Sequence, residues 1–187
     1  MKIKKAFLVS IIFFALLVFA ATSFGRDEIV YLKNNIHAYR GPRDRDITAS
    51  YANWTGHSPG HILIPVNTPV YIGRYRHGFT LLTEDTGRKI FFQFNASQAH
   101  MNRSEYIGLI TSERKTSIKN LSDIDQQGIK EGRAYLGMTK KAVRIALGYP
   151  APHRTPSLES HSWVYWTNRW KTMLVEFNRK GKVIYIR

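Results

Sequence analysis

The chain has 187 residues, of which 43% are hydrophobic and 13% aromatic, and it carries no cysteine. This composition excludes a fully disordered chain, and the lack of cysteine excludes disulfides, thiolate metal sites, a cysteine nucleophile and lipid attachment at cysteine. With 28 Lys and Arg against 13 Asp and Glu, the net charge of +15 favours an anionic partner or surface.

Residues 1–25 are typical of a secretory signal peptide. Three lysines open the segment, an apolar run covers residues 6–21, and small residues follow. Cleavage after Ala20 or after Gly25 fits this pattern, and the alternative is an uncleaved inner-membrane anchor formed by residues 6–21. Both interpretations place the folded part outside the cytoplasm, in the periplasm or at the periphery of the outer membrane.

Residues 26–96 are predicted to form a small antiparallel β-rich domain. Short runs of β-branched and aromatic residues recur at intervals of roughly 8–12 residues, and turns containing Gly, Pro or Asn separate most of them. The predicted strands are Glu28–Leu32, Ile36–Arg40, Ile47–Trp54, His61–Pro65, Pro69–Tyr75, Phe79–Glu84 and Arg88–Asn95. Residues 97–121 follow as a helical and linker segment, with a single helix predicted over Ser97–Ile110.

Residues 122–187 are predicted to form a second domain with helices before strands. Ser122 is a candidate cap of a short helix, and a second helix begins after Thr139 and ends before Gly148, a residue type that often terminates helices. Three alternating strands then complete an antiparallel meander: Ser162–Thr167, Lys171–Asn178 and Lys182–Arg187. The predicted fold class is therefore α+β, a β-rich domain followed by a two-layer α/β domain with helices packed on the meander.

The second domain carries an ordered set of motifs. Gly-Met-Thr-Lys-Lys-Ala-Val at 137–143 is followed by Leu-Gly-Tyr-Pro at 147–150, and then by Trp163–Tyr165, Leu174–Phe177 and Gly181–Val183. This order resembles the SmpA/OmlA (BamE-like) domain family of outer-membrane-assembly lipoproteins. The resemblance implies a BamE-like two-layer fold, contact with envelope proteins and anionic phospholipid, and no enzymatic activity. The chain departs from that family because it lacks the lipid-bearing cysteine and adds a β-rich region ahead of the domain.

Positive charge is concentrated in residues 130–187, which hold 12 Lys and Arg against 3 Asp and Glu. Cations combined with indole and phenol rings suit the surface of an anionic membrane. The predicted binding residues are Lys140, Lys141, Arg144, Arg169, Trp170, Lys171, Arg179 and Lys180. Because the signal segment predicts export, nucleic acid is not expected as the partner of this basic chain.

Seven histidines are spread along the chain: His37, His57, His61, His77, His100, His153 and His161. His57 and His61 are four residues apart, but Ser58, Pro59 and Gly60 between them disfavour a helix, and no Glu follows His57 as in the metalloprotease motif. Loop histidines are therefore the favoured interpretation, and no catalytic residue, metal ligand or cofactor is predicted. The alternative is a transition-metal site formed by His57, His61 and one further histidine.

The function favoured by the sequence is an exported, non-catalytic binding module of the cell envelope. It would contact a membrane protein, anionic lipid or a cell-wall component, in outer-membrane assembly or maintenance. One alternative is a secreted metal-dependent or serine hydrolase that uses His57 and His61, with Ser58 as the candidate nucleophile. Another is a secreted proteinaceous inhibitor, which rests on analogy of fold alone.

Overall fold

The structure, a computed structural model, describes residues 28–41 and 45–187. The predicted signal peptide lies outside the described residues. Within the described ranges, no helix is both long and apolar enough to span a bilayer. The strands of the larger sheet are β1 (Val30–Leu32), β2 (Ile36–Tyr39), β3 (Ile47–Ser50), β4 (His61–Ile64), β5 (Pro69–Tyr75), β6 (Gly78–Thr83), β7 (Lys89–Gln93) and β8 (Thr111–Ser112).

The larger sheet has the strand order β4-β2-β3-β7-β6-β5-β1-β8. Neighbouring strands are antiparallel except β3 and β7, which run parallel with Ile47 opposite Ile90. Side chains alternate as a half-buried sheet requires: in β7, Ile90 and Phe92 are fully buried, whereas Lys89 and Gln93 are exposed. The buried face packs against two helices, α1 (Ala96–Ala99) and α2 (Arg103–Ile110).

The helix predicted over Ser97–Ile110 is divided into α1 and α2. His100 ends α1 in the left-handed conformation, with φ of 55°. Asn102 then starts α2 with a capping box, in which its side chain accepts from the backbone of Glu105 and the Glu105 side chain accepts from the backbone of Asn102. These local hydrogen bonds satisfy helix-end donors, so a new helix can begin at Arg103, four residues after α1 ends.

The C-terminal part contains α3 (Asp123–Glu131), α4 (Lys140–Leu147) and a three-stranded sheet of β9 (Ser162–Trp166), β10 (Thr172–Phe177) and β11 (Val183–Ile186). The cap predicted at Thr139 is confirmed, since its hydroxyl accepts from the backbone N–H of Ala142 at 3.1 Å. The buried side chains of α4 join those of the sheet in a second apolar cluster, which includes Val143, Leu147, Trp163, Tyr165, Val175 and Phe177.

The predicted fold class is wrong. Over the described residues the structure is mostly β, with only 18% helix, so it is not an α+β chain that ends in a BamE-like two-layer α/β domain. The N-terminal part is not a small antiparallel domain either, because β3 and β7 pair in parallel and Thr111–Ser112, predicted as helix end and linker, adds an eighth strand. Sequence periodicity reports which residues of a strand are buried but not which strands pair. The pairing of the strands is what makes this region an eight-stranded sheet.

Asn35 ties the C-terminal helices to the larger sheet. Its side chain is 1% exposed. Its amide donates to the carbonyl of Ile129 in α3 at 2.6 Å and to that of Ala146 in α4 at 3.1 Å, while its oxygen accepts from the backbone N–H of Val66 at 2.8 Å. One buried side chain therefore fixes both helix ends against the beginning of β2.

Candidate metal centre

Three histidines meet where β2 and β4 face the ends of α3 and α4. In the β2–β4 register, Tyr39 lies opposite His61, so His37 and His61 are diagonal neighbours on one face. The Nδ1 atom of His37 lies 3.0 Å from Nε2 of His61. His57, in the loop before β4, stacks on His61 with ring centroids 4.5 Å apart. One ring nitrogen from each of the three lies within 4.8 Å of the other two.

The cluster runs from the interior to the surface. His37 is buried, His61 is half-buried and His57 is exposed. An ion arriving from solvent would therefore meet His57 and His61 first, and His37 closes the inner side.

Hydrogen-bond partners fix the ring protons of two of the histidines. The Nε2–H of His37 donates to the carbonyl of Ala146 at 2.9 Å, which leaves its Nδ1 lone pair directed at His61. The Nδ1 atom of His57 accepts from Nε of Arg133 at 3.1 Å, because a guanidinium can only donate, and its Nε2–H then donates to the carbonyl of Gly132 at 3.3 Å. A backbone carbonyl that holds the outer N–H of an imidazole is the arrangement that orients histidine ligands in metal sites.

Both helices end at this cluster. Ala146 lies in the last turn of α4 and Gly132 is the C-terminal cap of α3. The last carbonyls of a helix have no partner within the helix and carry its partial negative charge. His37 and His57 satisfy two of these carbonyls, and the negative helix ends favour positive charge at the cluster.

Gly132 allows α3 to approach the histidines. Its φ is +64°, a left-handed conformation that glycine adopts without strain. A Cβ at this position would lie 2.7 Å from Cδ1 of Leu63 and 3.0 Å from Cε1 of His37. A larger residue here would push the end of α3 away from β2 and β4.

The three imidazoles are held neutral. Burial is the main reason why the pKa of His37 falls from its usual 6.5 to about 3; the hydrogen bond to Ala146 opposes this shift, and the neighbouring His61 and His57 add to it. Burial, then His57 and Arg133, lowers the pKa of His61 to about 4. Burial and the charge of Arg133 also lower the pKa of His57. At neutral pH each ring therefore keeps a lone pair, which is the form that binds a metal ion.

The structure brings together the two histidines of the sequence alternative and adds His37 as the third. Sequence spacing could not identify His37, because 24 residues separate it from His61 and only strand pairing makes them neighbours. Its one local signal was a histidine inside an otherwise apolar strand, Ile36–Tyr39. Ser58 is exposed in the loop between His57 and His61.

Five of the eight residues predicted to bind an anionic surface form two groups at opposite ends of the three-stranded sheet, and the other three lie on α4. Arg169, Trp170 and Lys171 form the tip of the β9–β10 hairpin, whereas Arg179 and Lys180 lie in the β10–β11 turn. The six residues of β10 separate the two ends by about 20 Å. These residues are all exposed, but they do not form one continuous surface.

The predicted binding residues of α4 have contacts within the protein. Lys140 donates to the carbonyls of Leu158 and Glu159 at 3.1 and 3.0 Å, and its Nζ lies 5.6 Å from the ring centre of Trp163. Arg144 stacks on Tyr149 at 5.3 Å. Lys141 is exposed at the start of the helix. Lys140 therefore anchors the 158–159 loop, and the hairpin tip is the more accessible cationic site.

Comparison with known proteins adds no assignment, since no protein-family model, curated protein or solved structure matches the chain. The motif resemblance of residues 122–187 to SmpA/OmlA domains stays a prediction.

Proposed function

We propose that this chain is an exported protein of the cell envelope that binds one divalent transition-metal ion through His37, His57 and His61. The observation that carries the proposal is the convergence of one nitrogen from each ring within 4.8 Å of the other two. Neutral imidazole suits zinc, copper and nickel. Tetrahedral Zn–N bonds of about 2.0–2.1 Å place ligand nitrogens about 3.3 Å apart, so a separation of up to 4.8 Å would close by about 1.5 Å when the rings turn around an ion.

The charges around the cluster act in opposite directions. The helix ends at Ala146 and Gly132 favour a cation, whereas Arg133 opposes one. Arg133 is exposed, so its guanidinium can turn into solvent when His57 Nδ1 binds a metal. The ligand set itself carries no charge, which leaves an ion at this site with most of its positive charge.

The same rings also form a hydrogen-bonded network without metal, in which His61 donates to His37 and His37 donates to Ala146. That network stabilises the junction of β2, β4 and α4 in the metal-free protein. The metal site and the structural network differ in one measurable respect, because only the metal site gives saturable binding of one ion per chain.

The test uses protein dialysed against EDTA and titrated with Zn²⁺ by calorimetry and with Cu²⁺ by electron paramagnetic resonance. We expect one ion per chain and hyperfine coupling to more than one imidazole nitrogen. His57→Ala and His61→Ala should each weaken binding about tenfold or more, and the exposed His161 provides the control, His161→Ala, which should bind as the parent does. Binding that is absent, or equally strong in all three variants, refutes the metal site.

A second function, contact with an anionic component of the envelope, is favoured by the β9–β10 hairpin tip. Trp170 is 81% exposed, and the Arg169 guanidinium lies 5.2 Å from the centre of its ring. An exposed indole beside a cation is a typical anchor at an interface. Co-sedimentation with purified cell envelopes should fall with added salt and should be lost in Trp170→Ala but not in Arg179→Gln. Equal sedimentation of the two variants would exclude the hairpin.

A further inference from the structure

A cleft of about 280 Å³ lies between the β9–β10 hairpin and the loop that follows β3. It is lined by three aromatic side chains, a guanidinium and small polar groups, among them Tyr39, Trp54, Ser58, His61, Arg169 and Trp170. Its volume lies at the lower limit for small-molecule sites. The cleft is therefore suited to a ligand of one or two rings rather than to an acyl chain or a folded partner.

The walls of the cleft are held in place by backbone hydrogen bonds. Thr55 and Gly56 donate their N–H groups to the carbonyls of Trp166 and Thr167, both at 2.9 Å. A Cβ on Gly56 would lie 2.4 Å from the Thr167 oxygen, so glycine is needed for this approach. The two loops that carry Trp54 and Trp170 are thus fixed relative to each other. The protein therefore loses less conformational entropy when a ligand binds.

The hairpin tip is also ordered by its own side chains. Asn168 Oδ1 accepts from the backbone N–H groups of Trp170 and Lys171 at 2.8 and 2.9 Å. This Asx-type turn presents Arg169 and Trp170 together at the mouth of the cleft. The arrangement places a flat apolar ring and a cation next to each other without a ligand.

We propose that this cleft binds a sugar ring that carries a carboxylate, with the ring stacked on the indoles of Trp54 and Trp170 and the carboxylate paired with Arg169. The C–H face of a pyranose packs well on an aromatic ring, and its hydroxyls match the hydroxyl and amide groups of Ser58, Thr167 and Asn168. A guanidinium binds a carboxylate through two parallel hydrogen bonds. This inference rests on the envelope contact proposed above and specifies its ligand. The cleft shares His61 with the metal centre, but none of the groups assigned here to the sugar is a proposed metal ligand.

The charge of the region selects an acidic sugar over a neutral one. Arg169 lines the cleft, and Lys171, two residues later, is exposed on the same hairpin tip and adds to its positive charge. A neutral glycan would gain the stacking but not the ion pair. Removing the charge of Arg169 should therefore weaken the binding of acidic sugars much more than the binding of neutral ones.

The experiment screens the full chain against matched acidic and neutral oligosaccharides, including uronic-acid, sialic-acid and muramic-acid types, and then measures Kd for the best acidic probe and its neutral counterpart by calorimetry. Trp170→Ala should weaken both by about tenfold or more. Arg169→Gln should reduce the preference for the acidic probe to near unity. Arg179→Gln, which removes an exposed arginine at the opposite end of the sheet, should leave both values unchanged.

Three outcomes would overturn the proposal: no acidic oligosaccharide binds, acidic and neutral probes bind equally in the parent protein, or Arg179→Gln weakens binding as much as Arg169→Gln. Vesicles of phosphatidylglycerol form a separate arm, and binding to these vesicles without binding to any oligosaccharide assigns the hairpin to a membrane instead. The titrations are repeated with His57→Ala in EDTA, because His57 does not line this cleft. Sugar binding that persists in this variant shows that the cleft does not need the metal. Sedimentation with envelopes in the absence of sugar binding supports the envelope contact and excludes an acidic sugar as its ligand.

Discussion

Acidification should destabilise the metal-free protein at a pH where most proteins are stable. The pKa of His37 is about 3 in the folded protein and about 6.5 when the ring is exposed. The unfolded chain therefore binds a proton that the folded chain excludes, and the stability present above pH 6.5 is lost as the pH falls toward the folded pKa.

The size of the loss follows from linkage for this single group. With a folded pKa far below the working range, His37 alone lowers the free energy of unfolding by about 1.4 kcal/mol at pH 5.5 and by about 2.7 kcal/mol at pH 4.5, relative to pH 7.5 or above. His61 acts in the same direction, since burial also lowers its pKa. Because His61 is half-exposed, water weakens its contribution, and His37 should dominate.

The assay is urea unfolding at pH 7.5, 6.5 and 5.5 in the presence of EDTA. We expect a constant m-value and a midpoint that falls below pH 6.5. His37→Gln, whose amide can still donate to the carbonyl of Ala146, should show a smaller dependence on pH. The predicted role of His37 is refuted if the free energy of unfolding stays constant between pH 7.5 and 5.5, or if it falls equally in His37→Gln. Either result means that His37 is not the buried neutral group that causes the pH dependence. Excess Zn²⁺ should raise the midpoint at pH 7.5 if the histidines bind the ion.

Three further substitutions test the junction around the cluster. Asn35→Ala removes three buried hydrogen bonds and leaves the backbone N–H of Val66 without its partner, so it should lower the free energy of unfolding by about 2–4 kcal/mol, measured by urea unfolding against the turn variant Asn178→Ala, which should change much less. Gly132→Ala should cost about 1–2 kcal/mol from its positive φ and its contacts and should also weaken metal binding in calorimetry; unchanged stability would contradict the close approach of α3. Arg133→Gln removes the opposing charge beside His57 and should tighten Zn²⁺ binding about threefold to tenfold, whereas weaker binding would assign Arg133 a supporting role.

Local sequence signals located many of the elements. Alternation placed strands at Ile36–Tyr39, Pro69–Tyr75 and Thr172–Phe177 to within about a residue or two, and Thr139 marked the start of α4. These features depend on residues close in the chain, because strand burial repeats every second residue and a helix cap reaches only three residues ahead. The same signals found His57 and His61 as a possible pair.

Contacts between distant residues were not readable in this way. Asn35 and His37 bind the ends of helices about a hundred residues later, and no spacing rule connects them. The parallel pairing of β3 with β7 and the added strand β8 turned a predicted small domain into an eight-stranded sheet. Caps and alternation predicted local elements of the C-terminal part, but the α+β fold class built from these elements, with its BamE-like domain, was wrong.

The amino-acid sequence by itself determined the basic charge, the absence of cysteine chemistry and the positions of most strands and of α4, because each depends on composition or on neighbours within one turn or one strand. Only the tertiary structure decided that His37 completes a cluster with His57 and His61, that the predicted cations are divided between α4 and the two ends of a sheet, and that Trp54 and Trp170 line a common cleft. Strand register and the docking of two helix ends bring these groups together, and both depend on packing between segments far apart in the chain.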